Sequence, residues 1–140
     1  MSPFARQLSE LRMRHGIRQN ELAELIGYDQ TYISALEVGL KGPPTPEFVD
    51  KLVTTLPLTP AEADEIRVAA KASDRKLVLD PDAHPDVYWM LDALRQRLDR
   101  LHPAQARMIR ELLNLPDVVQ RKEVEPMQRL RRRKNMEAQM

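Results

Sequence analysis

Apolar residues recur three or four positions apart along most of this chain, which is the period of an amphipathic α-helix. Phe4, Leu8 and Leu11 show this spacing near the beginning, and Leu52 and Leu56 repeat it further along. No segment alternates apolar and polar residues in the manner of a half-buried strand. The pattern therefore predicts an all-α protein.

Turn and capping signals divide the pattern into predicted helices. Gly16 and Gly27 each follow an apolar period, at the position where a left-handed residue ends a helix. Thr59, Pro60 and Glu62 have the pattern of a capping box with proline in the first helical position. We predict helices over residues 3–15, 19–26, 30–38, 45–56, 60–72, 86–101 and 103–115.

Prolines and a loss of helical period separate these helices into two groups. The linker between the groups contains a short apolar run at 77–79, which we expect to lie against the helical core rather than to form a strand. We predict a five-helix domain over residues 1–72, a linker over 73–85, a helical hairpin over 86–116, and a basic tail, helical or disordered, over 117–140.

Composition excludes several classes of protein. The 140 residues include no cysteine, which excludes disulfides and thiolate metal sites. No run approaches the ~18 apolar residues of a membrane span, and the N-terminus lacks the pattern of a signal peptide. We therefore expect a cytoplasmic protein with no membrane partner. The net charge of +1 does not by itself indicate nucleic-acid binding, but the positive excess lies in residues 117–140.

Residues 19–38 have the spacing of a helix-turn-helix. Two short helices would meet at Gly27, Ala23 is small where they cross, and Asp29 stands where the second helix needs an N-cap acceptor. In such a unit the N-terminal residues of the second helix enter the major groove of DNA. Here those residues are Gln30, Thr31 and Ser34.

The same region resembles the DNA-binding domain of the phage lambda repressor/Cro-like family, also called the Xre family. The resemblance covers residues 8–40, and the next two helices fit the five-helix fold of that family. It implies sequence-specific binding to double-stranded DNA, usually as a dimer on an inverted repeat. The residues that carry it are Leu11, Arg12, Gly16, Ile17, Gln19, Leu22, Ala23, Gly27, Tyr32, Ile33, Ser34, Leu36, Glu37 and Gly39.

The resemblance also implies roles for individual residues. Gln30 and Thr31 occupy the positions that read base edges. Ser34 and Ala35 lie one helical turn further along the same face. Glutamine pairs with adenine, serine and threonine bond several bases, and apolar groups contact the thymine methyl. Gln19 occupies the position that binds a phosphate and braces the first base-reading side chain.

Two departures from the family pattern change the expected contacts. Arg18 stands where the family has a Thr or Ser N-cap, so the second helix loses a side-chain cap and gains a cation near the DNA backbone. Val38 stands where the family has a basic residue or Asn, and Lys41 would replace that cation. The phosphate contacts that we predict are Gln19, Arg18, Tyr32 and Lys41.

One further pair is implied to be structural. Arg12 and Glu37 match positions that form an ion pair between the first and third helices in some members of the family. Losing one partner would leave a partly buried charge without compensation.

The sixth predicted helix has apolar residues at heptad spacing over two heptads. This seam could pack on the seventh helix as an ordinary core face, or it could pair two copies of the chain, and the two interpretations are compatible. We expect a homodimer, because a helical hairpin of this size buries little apolar surface by itself. The seam consists of Val87, Leu91, Leu94, Leu98 and Leu101.

The tail contains a cluster of cations. One interpretation is a DNA arm that reaches the backbone or the minor groove. The other is a solvated terminal helix without a partner. The cluster consists of Arg129, Arg131, Arg132, Arg133 and Lys134.

We find no pattern of an enzyme, a metal site or a cofactor site. His15, His84 and His102 lie far apart and lack the spacing of metal ligands, and no nucleophile stands with a base. We expect a homodimeric repressor that occludes a promoter. The alternatives are an antitoxin that binds its own promoter and a protein partner through its C-terminal helices, and a module for protein interaction alone.

Overall fold

The computed structural model describes residues 1–116, and within them every regular element is helical. The all-α prediction is confirmed. The chain divides into two compact units, of which the first is Met1–Leu77 and the second begins at Val78. The helices are α1 (Pro3–Arg14), α2 (Gln19–Ile26), α3 (Gln30–Val38), α4 (Pro46–Thr55), α5 (Pro60–Ala72), α6 (Pro85–Arg97) and α7 (Pro103–Leu113), with a 3₁₀ turn at Leu98–Arg100.

Local sequence sets where the helices of the first unit begin. Ser2 caps α1, and Thr45 caps α4 by accepting a 3.2 Å hydrogen bond from Phe48 N. Thr59 and Glu62 form the predicted capping box at the start of α5. Each of these caps precedes a proline, which suits the first helical position because its missing N–H would have no partner there.

The core of the first unit is centred on Phe48 of α4. Its ring meets the rings of Phe4, Tyr28 and Tyr32 edge-on, with centroid distances of 6.2, 5.0 and 5.4 Å. Such edge-to-face contacts are a favoured geometry for aromatic pairs. Around this cluster α1 packs on α3 and α5, α2 packs on α3 and α4, and α4 packs on α5. The large side chains with almost no exposure are Phe4, Leu8, Leu22, Ile33, Phe48, Leu52 and Ile66.

A buried serine ties the end of α5 to the start of α1. Ser73 Oγ accepts a hydrogen bond from Phe4 N at 2.9 Å and donates one to Ala69 O at 2.6 Å. The first of these bonds satisfies a backbone N–H that the first turn of α1 leaves without a helical partner. Ser73 therefore belongs to the first unit, although we placed the beginning of the linker there.

The apolar run at 77–79 does not lie against the core, so this expectation was wrong. Leu77 and Val78 are 80% and 90% exposed, and they form no strand. Leu79, the third residue of the run, is half-buried, so the expectation fails at the two exposed residues.

The second unit contains helices but no buried side chain between residues 78 and 116. Histidines cap both helices: His84 Nδ1 accepts from Asp86 N, and His102 Nδ1 accepts from Ala104 N, each at 3.0 Å. Only a neutral imidazole can accept a hydrogen bond at Nδ1. Trp89 of α6 is 73% exposed.

Helix α6 is shorter than predicted. It ends at Arg97, Leu98 begins the 3₁₀ turn, and Leu101 is extended with φ −69° and ψ 123°. Further along, Pro103 disfavours helical backbone at His102, which adopts the extended N-cap conformation of α7. Of the predicted seam, only Val87, Leu91 and Leu94 share one α-helix. Helix α6 continues directly into the 3₁₀ turn, and the predicted hairpin over 86–116 stays a prediction.

Candidate nucleic-acid interface

The turn between α2 and α3 orients the third helix. Gly27 ends α2 with a left-handed backbone of φ 74°, which glycine adopts without steric cost. Asp29 Oδ1 then accepts a 2.9 Å hydrogen bond from Thr31 N and caps α3. Ile33 and Leu36 of α3 are buried. The opposite face of α3 is thereby presented to solvent.

A shallow groove of about 350 Å³ follows the exposed face of α3. The four residues that we predicted to read bases lie together in it. Val38 and Leu40, to which we gave no reading role, complete the groove. Its lining residues are Gln30, Thr31, Ser34, Ala35, Val38 and Leu40.

The first turn of α3 presents different hydrogen-bonding groups at two adjacent positions. Gln30 is exposed and makes no side-chain hydrogen bond within the described residues, so its amide can both donate and accept. Thr31 Oγ1 donates to Asp29 Oδ1 at 2.9 Å, which leaves its lone pairs and its methyl group for a ligand. These hydrogen bonds from the Thr31 backbone and hydroxyl lower the pKa of Asp29, so the cap is ionised at neutral pH.

Arg12 and Glu37 form a largely buried ion pair behind the groove. Arg12 Nε and Nη2 lie 2.8 and 3.2 Å from the two carboxylate oxygens of Glu37, and Arg12 Nη1 donates to Ile17 O at 3.0 Å. Their side chains are 16% and 7% exposed. The hydrogen bond to Glu37 raises the pKa of Arg12 against the opposing effect of burial. This bidentate pair fixes α3 relative to α1.

Gln19 makes a contact that differs from the expected one. Its Nε2 donates to Glu37 Oε2 at 2.8 Å, and it makes no hydrogen bond to Gln30. The reason is that the buried Glu37 carboxylate still has a free lone pair after binding Arg12, and Gln19 satisfies it. The second N–H and the amide oxygen of Gln19 remain for a DNA contact.

Tyr32 and Lys41, two of the predicted phosphate contacts, differ in how much of the side chain is exposed to a ligand. Tyr32 stacks on Tyr28 with a centroid distance of 5.5 Å and meets Phe48 edge-on, so its ring is part of the aromatic cluster. Burial raises the pKa of Tyr32, which keeps its phenol protonated at neutral pH. Lys41 is exposed, and its Nζ lies 5.6 Å from the centre of the Tyr32 ring, within the range of a cation–π contact.

The start of α2 has no side-chain cap. Arg18 occupies the N-cap position with extended backbone and makes no capping hydrogen bond, as we predicted from its replacement of Thr or Ser. The first N–H groups of α2 therefore have no capping side chain, and Arg18 beside them is exposed. A helix N-terminus of this kind favours an anion such as phosphate.

Arg75 is a cation near the interface that the sequence did not single out. It follows α5, and its Nη2 donates to Gly39 O at 3.0 Å, at the end of α3. The remaining guanidinium donors are exposed beside the loop that contains Lys41. No sequence signal could reveal this position, because 36 residues separate Arg75 from Gly39.

The other predicted sites lie elsewhere. In the seam, Leu98 is 63% exposed and Val87, Leu91, Leu94 and Leu101 are half-buried.

Within residues 1–116 no three acidic or histidine side chains are grouped to hold a metal ion, and no described helix is both long and apolar enough to cross a bilayer. The cluster of Arg129, Arg131, Arg132, Arg133 and Lys134 lies outside the described residues.

Comparison with known proteins supports the helix-turn-helix interpretation of the first unit. Residues 3–66 match the profile of a family described as "Helix-turn-helix domain". The chain is also 41% identical over 56 residues to RghRB of Bacillus subtilis, described as an uncharacterized HTH-type transcriptional regulator. That alignment covers 40% of this chain and 40% of the relative, so the chain spans less than half of the protein that it matches. No solved structure is significantly similar to this chain.

Proposed function

We propose that this chain is a transcriptional regulator that binds specific double-stranded DNA through α3, in the manner of the lambda repressor-like family. The observation that supports this most directly is the exposed groove along α3. The first two turns of α3 contribute Gln30, Thr31 and Ser34 to this groove. An α-helix fits the major groove, and short polar side chains at its N-terminal half can bond base edges there.

Backbone contacts would come from both sides of α3. The uncapped start of α2 with Arg18 binds one phosphate through its N–H groups. Lys41 and Arg75 bind the backbone near the other end of α3. Contacts of this kind release counterions, so affinity falls steeply as salt rises. These cations would replace the contact to the DNA backbone that is lost because Val38 stands where the family pattern has a basic residue or Asn.

A homodimer suits both the DNA and the second unit. Val87, Leu91 and Leu94 form a short apolar stripe on α6, and each is only half-buried among the described residues. Pairing two copies through this stripe would place two α3 helices on half-sites about one helical turn apart. An inverted repeat then matches the two-fold symmetry of the dimer. Occupation of such a site in a promoter would repress transcription.

A second candidate is supported by the large exposed apolar side chains of α7. Met108, Leu112 and Leu113 are each more than 60% exposed. Such a surface also fits a different protein, as in an antitoxin that represses its own promoter. A partner bound only by α7 would leave α6 pairing intact, so Leu112→Glu separates this candidate from the homodimer.

The function is tested by selecting bound sequences from random duplexes with full-length protein. We expect an inverted repeat with adenine among the preferred bases. Gln30→Ala should cost about 1–3 kcal/mol on the selected site and relax the preference at one base pair. Gln96→Ala, an exposed glutamine on α6, is the control and should change neither. Equal loss on selected and random DNA would remove Gln30 from base reading.

Dimerisation is tested separately through the stripe on α6. Leu94→Glu should shift the mass in sedimentation towards the monomer and weaken binding to the full repeat while leaving half-site binding unchanged. Val78→Glu introduces the same charge at a position that is 90% exposed and off the stripe. A Leu94→Glu protein that remains dimeric would exclude the α6 interface.

A further inference from the structure

We propose that Val38 and Leu40 recognise the C5-methyl group of a pyrimidine in the major groove. They would extend base reading from the polar first turns of α3 to its C-terminal end. This inference rests on the proposed DNA-binding function. It adds two residues that contact bases, Val38 and Leu40, and names the methyl group that they would contact.

Both side chains lie on the reading groove itself. Residues 30, 34 and 38 are four positions apart and therefore follow one line along α3. Gly39 ends the helix with φ 84°, and after this turn Leu40 lines the same groove. Val38 is 64% exposed and Leu40 is 81% exposed. The groove thus changes from polar to apolar towards the end of α3.

Hydrogen bonds on either side hold Leu40 in place. Lys41 N donates to Ala35 O at 3.1 Å, and Arg75 Nη2 donates to Gly39 O at 3.0 Å. A side chain on a backbone that is already ordered loses less conformational entropy on binding than one on a mobile loop. The apolar end of the groove is therefore preorganised for contact.

The chemistry of the major groove identifies the group that such side chains would contact. The side chains of Val38 and Leu40 cannot donate a hydrogen bond, so they cannot replace the basic residue or Asn that the family pattern has at position 38. The apolar group exposed on a base edge in this groove is the C5-methyl of thymine. A 5-methylcytosine presents the same methyl group at the same ring position.

The test uses full-length protein and the duplex obtained by the selection described above. Each thymine in turn is replaced by deoxyuridine, which removes only the methyl group. We expect one or two positions in each half-site at which this change weakens binding of the wild type by about fourfold, the effect of one buried methyl. The variant Val38→Ser/Leu40→Ser, whose side chains have no methyl group, should bind the thymine duplex more weakly and lose its response at those positions.

Val68→Ser provides a matched control, because Val68 is 67% exposed on α5 and lies off the groove. It should respond to deoxyuridine as the wild type does. A second arm places cytosine or 5-methylcytosine at the responsive position. If 5-methylcytosine restores the affinity that cytosine loses, the methyl group alone is recognised. If neither base restores the affinity of the thymine duplex, the contact is specific to thymine.

Two results would overturn the inference while leaving the proposed function intact. One is a deoxyuridine response that is absent in the wild type or unchanged in the double variant. The other is an equal loss of affinity by the double variant on selected and random duplexes, which would place both side chains against the backbone. A wild-type protein that selects no sequence at all would instead reject the proposed function.

Discussion

The two units of this chain use amphipathic helices in opposite ways. In residues 1–77 the apolar faces of α1–α5 meet and form a closed core around Phe48. Between residues 78 and 116 the helices also have apolar residues at helical spacing, but no described side chain is buried. A helical period shows which face will avoid water, but it does not show what will cover that face. The first unit covers its own faces, and we propose that the second needs another chain.

The helix starts show the same contrast at a smaller scale. In the first unit Ser2, Asp29 and Thr45 provide hydroxyl or carboxylate acceptors that are common at N-caps. In the second unit His84 and His102 provide imidazole nitrogens. Apart from α2, whose start has no side-chain cap, the α-helices of both units begin with local side-chain bonds, so the two units differ in tertiary burial rather than in capping.

The largest expected effect tests whether the two units unfold independently. Phe48→Ala should lower the free energy of unfolding of the first unit by about 3–5 kcal/mol, because it empties the centre of the aromatic cluster. The chain has one tryptophan, Trp89, whose fluorescence reports on the second unit. In urea we expect the circular dichroism transition to shift and the Trp89 transition to stay. Leu112→Ala, an exposed position, should leave the first unit within about 0.5 kcal/mol. A joint shift of both transitions would contradict the division.

The next largest effect is the loss of stability when a buried ion pair is broken, compared with the loss when an exposed pair is broken. Arg12→Ala should destabilise the first unit by about 3 kcal/mol, because it leaves the Glu37 carboxylate buried with only Gln19 as a side-chain partner. Arg6→Ala removes the exposed pair with Glu10 and should cost at most about 0.5 kcal/mol. Urea titrations of the two variants measure the difference. Equal values would mean that Glu37 is solvated after the loss of Arg12.

A smaller effect tests whether the DNA-binding surface extends beyond α5. Arg75→Ala should weaken binding to selected and random duplexes alike and reduce the slope of log affinity against log salt by about 1, the loss of one phosphate contact. Lys71→Ala, an exposed cation on α5, is the control. An unchanged slope for Arg75→Ala would limit its role to the hydrogen bond with Gly39.

The smallest effect concerns acid pH. Hydrogen bonds from Thr31 to Asp29 and from Thr59 to Glu62 lower the pKa of both carboxyl groups in the folded chain. Their stabilising contribution is therefore full above the ordinary values of 3.8 and 4.5 and is lost as pH falls through the lower folded values. The melting temperature of the first unit should fall between pH 5 and pH 3, and Asp29→Asn, which keeps an acceptor but does not titrate, should reduce that fall. An identical decrease in Asp29→Asn would exclude Asp29 as a source.

Much of the first unit could be predicted because its signals are local. The starts of α1, α4 and α5 follow from a cap and a proline next to each other, and the turn at Gly27 follows from its left-handed backbone. The end of α6 at Arg97 was not predicted, because the heptad spacing continues through Leu98 and Leu101. The restriction that Pro103 imposes acts on His102, beyond both the predicted and the observed end of the helix.

The sequence alone determined the helical period, the caps and the face of α3 that lies opposite Ile33 and Leu36, because these depend on residues within a few positions of one another. Only the tertiary structure decided that Gln19 bonds Glu37, that Arg75 reaches Gly39, and that the second unit buries none of its described side chains. The two contacts join residues 18 and 36 positions apart, and burial in the second unit depends on how its helices pack. Their geometry depends on the path of the folded chain, which short-range periodicity does not specify.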